Sequence, residues 1–123
     1  MTQEQKYKLL KYLCMALPYG VKAQIIKNLH LGVFTLYPSD IDKLKLGTAD
    51  IKPYLRPMSS MTEEEKKEYE LLANRTIVTS VGFVHLEATE LIEWLLKKHF
   101  DFMGFIDKGP AIEVTEDNNP YKD

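Results

Sequence analysis

Apolar residues near the start of the chain recur at three- and four-residue steps: Tyr7, Leu10, Cys14 and Leu17, with Leu9 and Leu13 widening the stripe. Gln5, Lys6, Lys8 and Lys11 fall mostly away from it. That period predicts an amphipathic helix over 3–17, opened by a Thr2/Gln5 capping box and closed by Pro18 and Gly20. Cys14 lies on the stripe and is expected to be an apolar core residue rather than a nucleophile. The period then drops to two in Val21-Lys22-Ala23-Gln24-Ile25, which predicts a strand with one wet face. Residues 28–32 read as a connection and 33–37, rich in β-branched and aromatic residues, as a second strand. Pro38-Ser39-Asp40 reads as a turn, and the alternation Lys43-Leu44-Lys45-Leu46 as a third strand. Links this short are too brief for parallel crossovers, so residues 1–50 are expected to be a helix plus an antiparallel meander.

Pro53 and Pro57 bar regular helix across the next stretch, making 51–62 an extended proline arm. Tyr54, Leu55, Met58 and Met61 stud it with apolar groups. Thr62 with Glu65 forms a second capping box, and Glu63, Glu64 and Glu65 favour the positive end of a helix dipole. The second helix is expected over 62–74, ending at Asn74 in a left-handed conformation. The β-branched run in 75–86 predicts a strand, with Gly82 marking a bulge, and 87–100 a helix whose face carries Ala88, Leu91, Ile92, Leu95 and His99. Lys108-Gly109-Pro110 turns the chain and 111–114 adds a short edge strand. Residues 63–114 therefore read as a helix–strand–helix unit, and 115–123 as a loose polar tail. The expected fold is α+β in one domain, 1–123. It has an antiparallel sheet of four to five strands and three helices, in a single layer packed on one face.

Composition changes this picture little. With 45% hydrophobic and 28% charged residues the chain is an ordinary globular sequence. It shows no signal-peptide core and no run long enough to span a membrane. A single cysteine forbids an intrachain disulfide, which points to the reducing cytoplasm. Charge adds more: residues 1–56 hold nine Lys/Arg against four Asp/Glu, a net +5, and 57–123 hold seven against fourteen, a net −7. Such asymmetry means either an acidic partner for the first half or mutual complementation within the fold.

Candidate chemistry is sparse. His85, Glu87, His99 and Asp101 are the clustered ligand types. His85-Leu86-Glu87 matches half of the zinc-deaminase motif, but the required cysteine pair is missing. There is no His-Glu-x-x-His, so both histidines are expected to be structural and no metal is expected. Ser59 and Ser60 lack a nucleophile-elbow context and sit where helix capping calls for serine. Glu90 and Glu93 fall on the polar side of a helix. No phosphate-cradling glycine motif appears. No catalytic residue and no cofactor are therefore assigned. Two binding readings are left. Lys52, Tyr54, Leu55, Arg56 and Met58 join stiff extended backbone to residue types enriched at interfaces, unless Tyr54, Leu55 and Met58 instead close the core. Alternatively, lysines interleaved with Tyr7, Tyr12, Tyr19, Phe34 and Tyr37 form a basic, aromatic surface for single-stranded nucleic acid.

The blocks Ala16-Leu17-Pro18-Tyr19-Gly20-Val21-Lys22, 51–69 and 94–101, followed by Gly104 and Ala111-Ile112-Glu113, resemble blocks shared by small uncharacterised proteins of gut Bacteroides and their prophages. Lys-Pro-Tyr-Leu-Arg-Pro-Met-Ser-Ser-Met-Thr is the most distinctive of them. The resemblance covers under half the chain. It implies a mobile-element or accessory setting and carries no reaction with it. Together these readings predict a small cytoplasmic, non-enzymatic protein of phage or prophage type that binds a protein partner through 52–58. Nucleic-acid binding by the basic half is the alternative.

Overall fold

The computed structural model describes residues 2–27, 29–78 and 84–122, giving the backbone alone at 27, 75–78 and 84–88. Helix α1 (Gln3–Ala16) begins as expected: the Gln5 amide donates to Thr2 Oγ1 at 3.1 Å and the Thr2 amide to Gln5 Oε1 at 2.9 Å. Its buried stripe is rotated from the expected one. Leu9, Tyr12, Leu13 and Ala16 face the core, while Tyr7 and Cys14 are exposed. The chain offers two overlapping three-four stripes, and tertiary contacts select the one containing Tyr12. Its hydroxyl donates to the Phe100 carbonyl at 3.3 Å and its ring packs edge-on against Phe105. Cys14 is therefore a surface thiol. The native protein should titrate one equivalent of a thiol reagent without denaturant, and a thiol that reacts only after unfolding would contradict this orientation.

Strands β1 (Lys22–Lys27) and β2 (His30–Thr35) form a hairpin with unbroken pairing from Lys22↔Thr35 to Lys27↔His30. The strand thus begins at His30, where the sequence suggests a connection. The expected turn at 38–40 and strand at 43–46 are both helix: α2 (Pro38–Leu46). Pro38 occupies the first turn, where its missing N–H costs nothing, and the Asp40 carboxylate accepts from the Tyr37 amide at 3.0 Å. Gly47, left-handed at φ 77°, closes the helix. Ile41 and Leu44 are buried at helical spacing, while Leu46 points outward.

The missing strand is supplied by the proline arm. Its first half is β3 (Lys52–Leu55), central in a four-stranded mixed sheet ordered β2-β1-β3-β4. It runs antiparallel to β1 through Lys52 and Pro53, and parallel to β4 (Ile112–Glu113) through Tyr54 and Leu55. A central proline is tolerated because of this offset. Leu36 N–H donates to Val21 O at 2.9 Å, so alternation makes Gln24 and Lys52 a bonded pair and Ala23 and Pro53 a non-bonded one. Pro53 owes β1 no donor.

After a short 3₁₀ turn, the Thr62/Glu65 capping box starts α3 (Glu63–Val78) with bonds of 3.2 and 3.0 Å. This helix runs past Asn74. The described residues of the expected strand over 75–86 are helical: 75–78 close α3 and 84–86 open α4 (Val84–Lys97), while 79–83, with the expected bulge at Gly82, lie outside the described residues. The two helices pack on each other, so helical pairing outweighs β-branched composition, a weak preference against tertiary context. Helix α5 (Phe105–Lys108) is held by Asp101, whose carboxylate accepts from the Phe105 and Ile106 amides at 2.8 and 2.9 Å.

The fold is α+β with four strands, as the sequence predicts, but the sheet is mixed rather than antiparallel because β4 joins β3 in parallel, and the described residues form five helices rather than three. The main core unites Leu9, Leu13, Val21, Ala23, Ile25, Ile41, Leu55 and Phe105 beneath the inner face of the sheet. A second cluster, Met61, Leu95 and Phe100, joins α3 and α4 to the arm. Among the described residues no helix is long and apolar enough to cross a membrane.

Candidate binding surface on the open face of the sheet

Because paired strand residues share a face, the register sorts the sheet into two sets. Ala23, Ile25 and Phe34, with Pro53 and Leu55, point toward the helices. Lys22, Gln24 and Ile26 of β1, Leu31, Val33 and Thr35 of β2, and Lys52 and Tyr54 of β3 make up the other face. There Ile26, Leu31 and Val33 are 60%, 62% and 47% exposed, and Leu29 at the hairpin tip is 97% exposed. Four large aliphatics lie together in solvent, whereas such residues normally reach the surface singly. Leu29 also holds φ 68°, left-handed backbone that disfavours a side chain by about 1–2 kcal/mol. Two-residue hairpin loops ordinarily place glycine or asparagine at such a position.

Lysines flank the apolar set. Lys52 is exposed, and Lys22 Nζ donates to Thr35 Oγ1 at 3.2 Å. The far side is bounded by the C-terminal segment, which is fixed rather than loose. Tyr121 reaches back to the junction of β1 and β3, where its hydroxyl accepts from Lys22 N–H at 2.9 Å and donates to the Tyr54 carbonyl at 2.7 Å. Lys22 and Tyr54 would be the next bonded pair of the ladder, and the phenol takes that rung. Its ring stacks on His99 with centroids 3.8 Å apart. Burial raises the Tyr121 hydroxyl above the usual tyrosine range. Burial, then the nearby Arg56 charge, lowers His99 to about 4, so its imidazole is neutral at pH 7. A shallow cleft of about 460 Å³ lies between Lys22, Val33, Tyr54 and residues 117–120.

The five arm residues divide by face. Lys52 is exposed and Tyr54 half-buried on the open side. Leu55 is fully buried and presents nothing to a partner. Met58 packs on the second core cluster. Arg56 turns inward, forking onto Glu65 at 2.7 and 2.9 Å and lying 4.2 Å from the Phe100 ring centre. The aromatics of the nucleic-acid reading are not gathered on one surface. Tyr12 is core, Phe34 packs against it, Tyr7 and Tyr37 are exposed on and before separate helices, and Tyr19 is half-buried. Of the metal-type residues, His99 stacks on Tyr121 and Asp101 caps α5, while the His85 and Glu87 side chains lie outside the described residues. Ser60 Oγ bonds back to the Pro57 carbonyl, Ser59 is exposed, and Glu90 and Glu93 are exposed on α4.

The groups that do converge are aliphatic side chains, lysines and strand backbone. They can bury apolar surface and pair with carboxylates. Sequence reading missed Ile26, Leu29, Leu31 and Val33 because 28–32 looked like a loop. The available signal was the alternation running on through Ile26, with Asn28-Leu29 spaced as a two-residue turn. Comparison with family models, curated proteins and solved structures returns no match.

Proposed function

We propose that this chain is a non-enzymatic cytoplasmic module that binds a protein partner on the open face of its sheet. The partner presents an apolar surface to Ile26, Leu29, Leu31 and Val33, and carboxylates to Lys22 and Lys52. One observation carries the reading: Leu29 is held almost wholly in solvent on strained backbone that a glycine would relieve. Strain of that kind at an exposed apolar tip stabilises nothing within the fold, and strained residues cluster where binding occurs. The +5 charge of residues 1–56 adds attraction for an acidic partner. The support for a mobile-element accessory setting is the resemblance of its sequence blocks to those of prophage-borne proteins.

Affinity capture from lysate of the native host, with and without nuclease, tests this when wild type is compared with Leu29→Gly. Burying one leucine is worth about 2 kcal/mol, so the variant is expected to bind the captured protein roughly thirtyfold more weakly. Its melting temperature should hold or rise, since glycine relieves the left-handed backbone. Acidic-rim recognition also requires that Lys52→Glu weaken the same complex most at low salt. Equal capture by both chains would remove the open face from the proposal. Capture lost on nuclease treatment would favour the nucleic-acid reading instead.

A further inference from the structure

We infer that the free edge of β2 is a self-pairing edge: two copies join antiparallel along β2, about a two-fold axis through Val33, into one eight-stranded sheet. The hydrogen-bond phase fixes which groups are available. With Val21 and Leu36 a bonded pair, alternation makes Ala23↔Phe34, Ile25↔Gly32 and Lys27↔His30 bonded pairs as well. The backbone groups of Leu31, Val33 and Thr35 therefore point away from β1. Among the described residues, no backbone hydrogen bond reaches them from elsewhere.

The strand carries none of the features that keep an edge solitary. His30-Leu31-Gly32-Val33-Phe34-Thr35 contains no proline, lysine, arginine or carboxylate, and it pairs with β1 without a bulge. A two-fold axis at Val33 sets Val33 against Val33 of the second copy and Leu31 against Thr35 in both directions. All three outward-pointing residues are then used, giving six hydrogen bonds. A copy of the chain is the occupant that fits. The edge is uncharged, so two identical edges meet without like-charge repulsion, and one register satisfies every free group on both. The three residues also share the open face, so the dimer extends that face across the axis and leaves it uncovered. This goes beyond the binding reading and does not depend on it. A single strand pair buries less than the roughly 800 Å² per partner of durable interfaces, so the dimer comes apart on dilution.

Sedimentation velocity from low micromolar to near-millimolar concentration tests the pairing. The 14.2 kDa chain should approach twice its mass at the upper end. Val33 is exposed and its N–H faces away from β1, so charged side chains there leave the hairpin ladder intact, as circular dichroism would verify. Val33→Lys and Val33→Glu should each stay monomeric, and mixing them should restore a dimer containing one of each. Only an axis at Val33 sets these two side chains opposite one another. A wild-type chain that stays monomeric at every concentration would overturn the inference. So would a dimer indifferent to both variants, or a mixture that fails to pair.

Discussion

Arg56→Ala is expected to destabilise the fold by about 3 kcal/mol, the cost of leaving one member of a mostly buried ion pair alone. The Arg56 guanidinium meets both Glu65 oxygens, donates to the Ser60 carbonyl at 3.3 Å and covers the face of Phe100. Its backbone links two parts of the chain, since Arg56 N–H donates to the His99 carbonyl and Asp101 N–H to the Arg56 carbonyl, both at 2.8 Å. Removing the side chain leaves the Glu65 carboxylate with the Thr62 amide and the Lys98 charge, and uncovers Phe100 against Trp94. Urea denaturation at pH 7 measures the loss. Arg56→Lys should recover only part of it, because an ammonium keeps the charge without the fork. The pair also sets an acid limb. Hydrogen bonds from Arg56 hold Glu65 at about 2, below its ordinary 4.5. The native carboxylate thus stays charged where the unfolded one binds a proton, and its stabilisation, full above about pH 4.5, is lost as pH falls toward 2. That limb should shrink in Arg56→Ala, where the Thr62 amide and the Lys98 charge still favour the carboxylate. A variant as stable as wild type but deficient in partner capture would return Arg56 to the interface role that its sequence context suggests.

Arg56 also shows what kind of information the sequence holds. Both capping boxes are legible because donor and acceptor lie three residues apart, within reach of local geometry. The alternation of β1 is legible for the same reason. The four-residue alternation at 43–46 is too short to separate period two from period 3.6, and Pro38, Asp40 and Gly47 are better guides to that helix than its hydrophobic pattern. The Pro53–Pro57 part of the arm is correctly read as free of regular helix, while Met58–Ser60 beyond it form a short 3₁₀ turn. The arm's place at the centre of the sheet depends on pairing with strands distant in sequence. The segment 75–86 misleads because its composition is β-like while its partner is a neighbouring helix. The candidate surface was hidden by the hairpin turn: once 28–32 is read as a loop, its leucines lose the strand context that puts them beside Ile26 and Val33.

Tyr121→Phe is expected to cost about 2 kcal/mol, although it removes a single oxygen from a segment that reads as a polar tail. The phenylalanine ring can still stack on His99, but the Lys22 N–H and Tyr54 carbonyl lose their shared partner at a half-buried junction. An orphaned backbone donor or acceptor costs about 1–3 kcal/mol, more than a typical hydrogen bond contributes. Hydrogen exchange at the Lys22 amide offers a local readout and should accelerate by more than the roughly thirtyfold that the global loss alone gives amides within α1. Unchanged protection at Lys22 would mean the β1–β3 ladder closes without the phenol. The same junction shapes the pH profile at both ends. Because His99 is lowered to about 4 in the native state, the unfolded chain takes up a proton below its ordinary 6.5 that the folded chain refuses. Stability should therefore decline as pH falls from 6.5 toward 4, a decline that His99→Asn removes while tolerating the left-handed φ of 63° at this position. At the alkaline end burial raises both Tyr12 and Tyr121, so the folded chain keeps phenolic protons that the unfolded chain releases above 10.0. Stability must fall again as pH rises past that point, and Tyr121→Phe should make this alkaline loss shallower by taking one of the two phenols out of the titration.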